Sequence, residues 1–339
     1  MSENPIRRIL LGHGGGGKMT GRLIRDIILP KLDRGQLGGL PDSVVLSGLG
    51  ESIAYTTDSF VVSPIFFPGG NIGSLAVHGT CNDLACSAAR PLFLSLSLIL
   101  EEGLPMERLE LILESVARAA DQAEVEVVTG DTKVVPKGSA DGIFINTSGI
   151  GKVHGTVCPS PKRISKGDLI LVSGPVGNHG LAVMLSRAEF SFDFDLKSDS
   201  ASIWPVVERL LELGPDLKFL RDPTRGGIAA TLNEVASLTG MGIAVEESAI
   251  PVDESVSAAS EILGIDPFQA ANEGKVVAVV GKEKGAKALE LLKDCPLALG
   301  AAIIGEVTFK NTAKVVMTTR IGGSRILPEP SGELLPRIC

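Results

Sequence analysis

At 339 residues, 44% hydrophobic and 21% charged, the chain is long enough to bury substantial cores, and its length favours two domains over one. A formal net charge of −8, with 11 Phe, 1 Tyr and 1 Trp, provides neither the basic stripe nor the stacking platform of a nucleic-acid binder. Five cysteines without a CxxC pair indicate neither a disulfide framework nor a zinc site, and Cys81, Cys86, Cys158 and Cys295 read as ordinary buried thiols. No apolar run approaches the ~20 residues of a membrane span, and Met1-Ser2-Glu3-Asn4-Pro5 lacks a signal-peptide layout, so the expected location is the cytoplasm.

The first notable segment is Leu11-Gly12-His13-Gly14-Gly15-Gly16-Gly17-Lys18. Successive glycines around one His and one Lys can turn backbone N–H groups and a positive charge toward a polyphosphate. The spacing departs from the G-x-x-x-x-G-K-(S/T) phosphate loop, because Met19 follows Lys18 and no long apolar strand precedes the glycines. Taken alone, the segment is equally well a plain linker. As a functional element it is a lid, with His13, Gly14, Gly15, Gly16 and Lys18 as candidate phosphate contacts. Apolar residues at helical spacing follow over 21–29 and stop at Pro30.

Residues 52–62 form a strand that carries Asp58, and 64–70 make an irregular connection. From Asn71 the spacing predicts a helix of small residues that packs closely on a sheet and sets Asp83 on one of its faces. Residues 91–100 form a strand, and Pro105 opens a helix with Leu109, Ile112, Leu113, Val116 and Ala120 on its apolar face. Strands follow at 125–133, running into a polar turn with Asp131 and Lys133, and at 142–151. Cys158-Pro159-Ser160-Pro161-Lys162 marks a boundary near 155–165.

In the second half a strand at 168–174 precedes a helix from Leu181. Another helix opens at Arg225-Gly226-Gly227 and stops at Gly240; with Asp222 and Arg225 at its start it can face an anionic ligand, although a plain N-cap accounts for it as well. Helices near 253–263 and 283–293 then alternate with strands near 241–247, 275–281 and 301–309. Asn272-Glu273-Gly274-Lys275 stands directly before one of these strands. The class is mixed α+β, divided into 1–40, 41–158, 159–326 and a tail at 327–339. That tail holds three prolines and a glycine, reads as an extended movable arm, and ends in the thiol of Cys339. A frayed end or an intermolecular disulfide partner is the plainer account of it.

Asp58, Asp83 and Asp131 each fall at a strand end or on the helix between, and Lys133 follows by two residues. Carboxylates of this kind hold Mg²⁺ together with nucleotide phosphates, because Mg²⁺ keeps several waters and takes a few carboxylates plus substrate oxygens. Singly, each Asp is more often a turn or cap residue. Their combination with the glycine-rich front raises the nucleotide reading.

Thr56-Thr57-Asp58-Ser59, Phe66-Phe67-Pro68-Gly69-Gly70-Asn71-Ile72-Gly73, Asn82-Asp83, Gly130-Asp131-Thr132-Lys133, Asp222-Pro223-Thr224-Arg225-Gly226-Gly227, Asn272-Glu273-Gly274-Lys275 and the terminal Pro336-Arg337-Ile338-Cys339 together resemble the HypE family of hydrogenase maturation proteins, nearly end to end and in the family's order. That family belongs to the ATP-using superfamily of aminoimidazole ribonucleotide synthetase, thiamine-monophosphate kinase and selenophosphate synthetase. The resemblance implies a two-domain PurM-like fold, an ATP- and Mg²⁺-binding N-terminal domain, and a homodimer whose N-terminal domains build a barrel-like core. It implies an ATP-dependent dehydration of an S-carbamoyl group on Cys339 to a thiocyanate, the carbamoyl group coming from a HypF-type carbamoyltransferase and the cyanide passing to the iron on a HypC–HypD-type scaffold for a nickel–iron hydrogenase. The roles it implies are Asp58, Asp83 and Asp131 as Mg²⁺ ligands, Lys133 on the transferring phosphoryl group and Glu273 as general base. His13, Gly14, Gly15, Gly16, Lys18, Asn71, Asp222 and Arg225 would contact ATP or phosphate. A small-molecule synthetase or kinase with a dispensable Cys339, and a non-catalytic thiol carrier, are the alternatives.

Overall fold

The computed structural model describes residues 18–23, 25–26, 44–49, 51–155, 157–187, 195–330 and 335–339. In chain order the first half forms α1 (Lys18–Leu23), β1 (Val44–Leu49), β2 (Glu51–Phe60), β3 (Phe66–Phe67), β4 (Gly70–Asn71), α2 (Ile72–Cys86), β5 (Ala89–Glu101), α3 (Met106–Ala123), β6 (Glu126–Val135) and β7 (Ile143–Val153). The second half forms β8 (Leu169–Val172), α4 (Asn178–Leu185), α5 (Trp204–Leu210), β9 (Leu217–Arg221), α6 (Gly227–Thr239), β10 (Gly242–Glu246), α7 (Glu254–Leu263), β11 (Val277–Val280), α8 (Gly285–Leu292), β12 (Ala302–Thr308), β13 (Val315–Thr318) and β14 (Ser324–Ile326).

The first sheet has the order β1-β2-β7-β5-β6, antiparallel except for the parallel pair β5/β6 that α3 connects. The second has the order β14-β13-β10-β12-β8-β11-β9, antiparallel except for β10/β13. β3 and β4 form a separate antiparallel pair, and a mixed α+β chain built on two large sheets is the architecture expected from the alternation of periodicities.

Helix α2 organises the first half. Asn71 Oδ1 accepts from the backbone N–H groups of Gly73 and Ser74 at 2.8 and 3.4 Å, and Ser74 Oγ accepts from Asn71 N at 3.2 Å, a reciprocal cap for donors that a helix start otherwise leaves orphaned. The helix is buried nearly all round, which its small residues allow: a Cβ on Gly79 would lie 2.8 Å from the Phe60 ring of β2. At Gly73 a Cβ would run into the carbonyl oxygen of Ile112 on α3. Gly73→Ala therefore forces α2 and α3 apart, at an expected cost of about 2 kcal/mol. A calorimetric melt should show Tm lower by roughly 5 °C, and an unchanged Tm would mean that the two helices have slack.

Several elements differ from expectation. Helix α4 starts at Asn178 rather than Leu181, because Gly177, at φ 92, makes the tight strand-to-helix turn before it. Strand β9, helix α5 and the edge strands β13 and β14 are additional; α5 opens on Trp204-Pro205, where proline suits the first helical turn. Cys158 is exposed, because it lies in the connection between the sheets, whereas Cys81, Cys86 and Cys295 are buried. The end of the chain is not a free arm: Leu335, Ile338 and Cys339 pack into a core cluster with Phe60, Phe67, Ile72 and Leu181, so the tail's apolar side chains join both halves. Within that cluster Ile338 is 3% exposed. The glycine-rich segment 12–17, including His13, Gly14, Gly15 and Gly16, lies outside the described residues, as does part of the helix expected over 21–29. Among the described residues no helix is long and apolar enough to cross a membrane.

Candidate functional site

Asp58 lies on β2, and the face of α2 that meets β2 carries Gly79 and, one turn on, Asp83. A Cβ on Gly79 would be 3.6 Å from Asp58 Oδ2, so glycine here leaves the carboxylate its space. Thr56 Oγ1 donates to Asp83 Oδ2 at 2.8 Å, and Ser59 N donates to Asp58 Oδ1 at 2.8 Å. Asp222, directly after β9, approaches the C-terminal turn of α2, where Cys86 Sγ is 4.0 Å from its Oδ1. Glu273 is 2% exposed and its Oε1 is a buried acceptor without a hydrogen-bond partner among the described residues.

These acids lie within one another's electrostatic field. Burial raises Asp83 well above the usual carboxylate range, and the negative charges of Asp222 and Asp58 push the same way. Glu273 is likewise raised well above its ordinary value, first by burial and then by Asp222, Asp58 and Asp199, against the opposing Arg225. Burial pushes Asp222 up to about 6, despite Arg221. Asp58 is also raised, chiefly by burial.

The terminal thiol meets this cluster. Arg225 Nε donates to Cys339 Sγ at 2.9 Å, and Cys339 is 9% exposed. Burial pushes the thiol up to about 12; Arg225 opposes that, while Glu273 and Asp58 add to it. His179 Nε2 donates to the Ile338 carbonyl at 2.6 Å, which requires Nδ1 to accept from Ser198 Oγ at 2.7 Å in the neutral imidazole that burial favours.

Two asparagines hold the loops that carry the site. Asn82, fully buried, donates from Nδ2 to the carbonyls of Glu273 and Ala201 at 3.0 and 3.1 Å and accepts from Ile203 N at 2.8 Å. Asn272 accepts from Gly177 N at 2.7 Å and donates to Pro223 O at 3.1 Å. Both stand in motifs quoted above, but nothing in their spacing distinguishes a loop clamp from a ligand.

The structure therefore brings together Asp58, Asp83, Asp222, Arg225, Glu273 and Cys339. Asn71 is committed to capping α2 and to Ser115 Oγ, to which its Nδ2 donates at 2.7 Å. Lys18 is the first residue of α1 and is exposed. Asp131 and Lys133 are not with the others in this chain. Along the sheet, Asp58 pairs with Thr147, Thr147 with Leu96 and Leu96 with Gly130. Asp131 is thus in the neighbouring row, with Ser59, Asn146 and Ser97, whose side chains project from the opposite face. It lies three strand spacings, ~14 Å, from β2. There Lys133 Nζ binds Asp131 Oδ2 at 2.9 Å, both side chains well exposed, and holds that carboxyl below its usual range. Among the described residues no three His, Cys, Asp or Glu side chains converge closely enough to form a metal site by themselves.

Comparison with known proteins bears on the fold and the family. Residues 41–153 match the N-terminal domain of the AIR synthase related proteins, and 165–318 match the C-terminal domain. The carbamoyl dehydratase HypE of Rhizobium leguminosarum bv. viciae is 47% identical over 333 residues, 98% of this chain and 95% of the relative. A crystal structure of the hydrogenase maturation protein HypE in complex with ATP superposes with a TM-score of 0.82 at 47% identity, covering 98% of this chain and 100% of that one. A HypE–HypF complex superposes with a TM-score of 0.86 at 47% identity, covering 91% and 99%. With two-domain motifs, fold and near-complete relatives in agreement, the chain belongs to the HypE family of hydrogenase maturation proteins, built on the AIR synthase related fold.

Proposed function

We propose that the chain is an ATP-dependent carbamoyl dehydratase acting on its own C-terminus in hydrogenase maturation, with an S-carbamoyl group on Cys339 as substrate and a thiocyanate as product. The observation that carries this reading is the docking of the terminal thiol on Arg225 at 2.9 Å, in the field of Glu273 and Asp58. A carbamoyl group on that sulfur would project among buried carboxylates, one of which, Glu273, has an oxygen without a partner among the described residues. The carbamoyl oxygen takes the γ-phosphoryl group of ATP, which turns a poor leaving group into phosphate. Loss of both N–H protons and of the phosphate leaves S–C≡N, with ADP and phosphate as co-products. Glu273 accepts a proton from the carbamoyl nitrogen, a role suited to a carboxylate of raised basicity. Arg225 holds the sulfur, so that the group is presented in one orientation.

The donor set fits Mg²⁺. Asp58, Asp83 and Asp222 are all raised by burial, with the charge of Asp58 adding at the other two and that of Asp222 at Asp83, as expected of a pocket that awaits a cation. Held by one or two of these carboxylates and the ATP phosphates, Mg²⁺ would neutralise charge on the phosphates. In this reading His13, Gly14, Gly15, Gly16 and Lys18 close over the phosphates. Asp131 and Lys133 belong to the sheet face that leaves Tyr55 41%, Phe93 41% and Ile150 36% exposed. A homodimer covering that face would let them serve a site completed across the two-fold. The carbamoyl donor is a HypF-type enzyme, and the cyanide acceptor an iron-bearing HypC–HypD-type scaffold.

Mass spectrometry of the C-terminal peptide tests the reaction. With Cys339 carbamoylated, Mg-ATP should remove the mass of one water from that peptide, and Cys339→Ala should show no such change. ATP consumption with an unaltered carbamoyl tail would transfer the reading to a small-molecule substrate.

A further inference from the structure

The last residues are held by more than their apolar side chains. Val61 N donates to the Cys339 carbonyl at 3.1 Å and Ser63 N to the Arg337 carbonyl at 3.0 Å, an antiparallel, strand-like pairing that continues β2 beyond Phe60. Arg187 joins both partners of this pairing, with Nε donating to Ser63 O at 2.5 Å and Nη2 to Arg337 O at 2.7 Å. These contacts use backbone atoms and would hold many sequences.

The Arg337 side chain is read individually. Its Nε donates to Val61 O at 2.9 Å, its Nη1 donates to Asp141 Oδ2 at 2.7 Å, and its guanidinium lies 5.8 Å from the centre of the Phe144 ring. Asp141 is held for this by Ser63 Oγ at 3.3 Å. An acceptor carbonyl, a carboxylate and an aromatic face arranged around one planar cation form a recognition site for arginine rather than lysine. The backbone of Arg337 is meanwhile at φ 50, a left-handed conformation that a free non-glycine residue seldom adopts. In that bend both its side chain and its carbonyl are engaged.

We propose that Asp141, with Val61 O and Phe144, is a specificity pocket for the penultimate-but-one arginine of the substrate tail, and that occupancy of this pocket sets how long Cys339 stays at the carboxylate cluster. Asp141 and Arg337 are positioning residues, which act on Cys339 through the tail that they hold. The inference deepens the dehydratase reading and rests on it for its consequence in turnover. The docking itself can be read without any turnover.

The test measures both in the full-length chain. Without ATP, peptide-resolved alkylation by iodoacetamide gives the rate at Cys339 relative to that at Cys295, which is buried in the other sheet's core cluster and reports general loosening. The Arg337→Ala chain should raise the Cys339-to-Cys295 ratio about tenfold, the loss of a charge-assisted bond to a half-exposed partner plus its carbonyl and ring contacts. Asp141→Asn, which keeps shape and removes charge, should raise it about threefold, because this carboxylate is 57% exposed and the pair is partly screened. Asp141→Glu should recover most of the difference. In the carbamoylated chain with Mg-ATP the same order should appear in the rate of water loss, with ATP affinity unchanged. An unchanged ratio in both Arg337→Ala and Asp141→Asn overturns the pocket. A changed ratio with no water loss even in the parent leaves the pocket standing and refutes the dehydratase reading instead.

Discussion

Glu273→Gln should lower the rate of water loss at carbamoylated Cys339 by about 10²–10⁴-fold while leaving ATP binding and the docked tail in place. The substitution keeps the size and the buried position of a side chain that is 2% exposed, so the fold has little reason to change. It removes the one property the reaction needs, an oxygen that takes a proton. Burial and the charges of Asp222, Asp58 and Asp199 make this carboxylate far more basic than an ordinary glutamate, and Arg225 restrains the effect. Its Oε1 lacks a partner among the described residues, which costs free energy in a resting protein and is relieved when a donor N–H arrives. The measurement is a single-turnover time course by mass spectrometry, with calorimetric titration of ATP in parallel. Turnover within threefold of the parent would remove Glu273 from the role of base. A parallel loss of ATP affinity would show instead that it helps to bind the nucleotide.

The elements that carry the site were legible because their periodicities are strong. The small-residue spacing from Asn71 to Cys86 and the alternation in 91–100 each correspond to a described element within two residues or so. The identity of the acids was legible through their motifs. What could not be read was which face of a strand each side chain occupies relative to residues far away in sequence. Asp58 and Asp131 both stand on strands, yet the lateral register of four strands puts them on opposite faces, and register is decided by pairing partners rather than by either segment. The tail failed as an expectation for a related reason. Its prolines do prevent regular structure, but Leu335 and Ile338 find a cavity formed by α4 and β2 elements 150 residues or more away in the chain, and no local pattern reveals such a partner. His179 and Asp141 were missed as tail contacts on the same account.

Asp83→Asn should act in opposite directions on stability and on catalysis. In the chain without nucleotide or cation, Asp222 carries a pKa of about 6, against an ordinary value of about 3.9 for an unfolded aspartate, and Asp83 and Asp58 are raised as well. A raised carboxyl binds its proton more tightly in the folded than in the unfolded state. The contribution is therefore fully present below about pH 4 and is lost as the pH rises through about 6. The parent in EDTA should accordingly melt at lower temperature at pH 8 than at pH 5. Replacing Asp83 with a neutral isostere removes a buried carboxyl whose ionisation burial and the charges of Asp222 and Asp58 oppose, so at pH 8 in EDTA the Asn variant should melt a few degrees above the parent, and its Tm should fall less between the two pH values. Mg-ATP should reverse the ranking, since a ligand bound only by the folded state stabilises in proportion to its affinity, and the variant has lost a carboxylate that would hold the cation. Water loss at Cys339 should fall on the order of 10²–10³-fold, the scale of removing one electrostatic contact from a developing transition state. Melting curves at two pH values, with EDTA and with Mg-ATP, read all of this on one instrument. If the Asn variant gains the same Mg-ATP stabilisation as the parent, Asp83 does not hold the cation. If it is no more stable than the parent at pH 8 in EDTA, the carboxylates of β2, α2 and the loop after β9 do not repel one another as their burial requires.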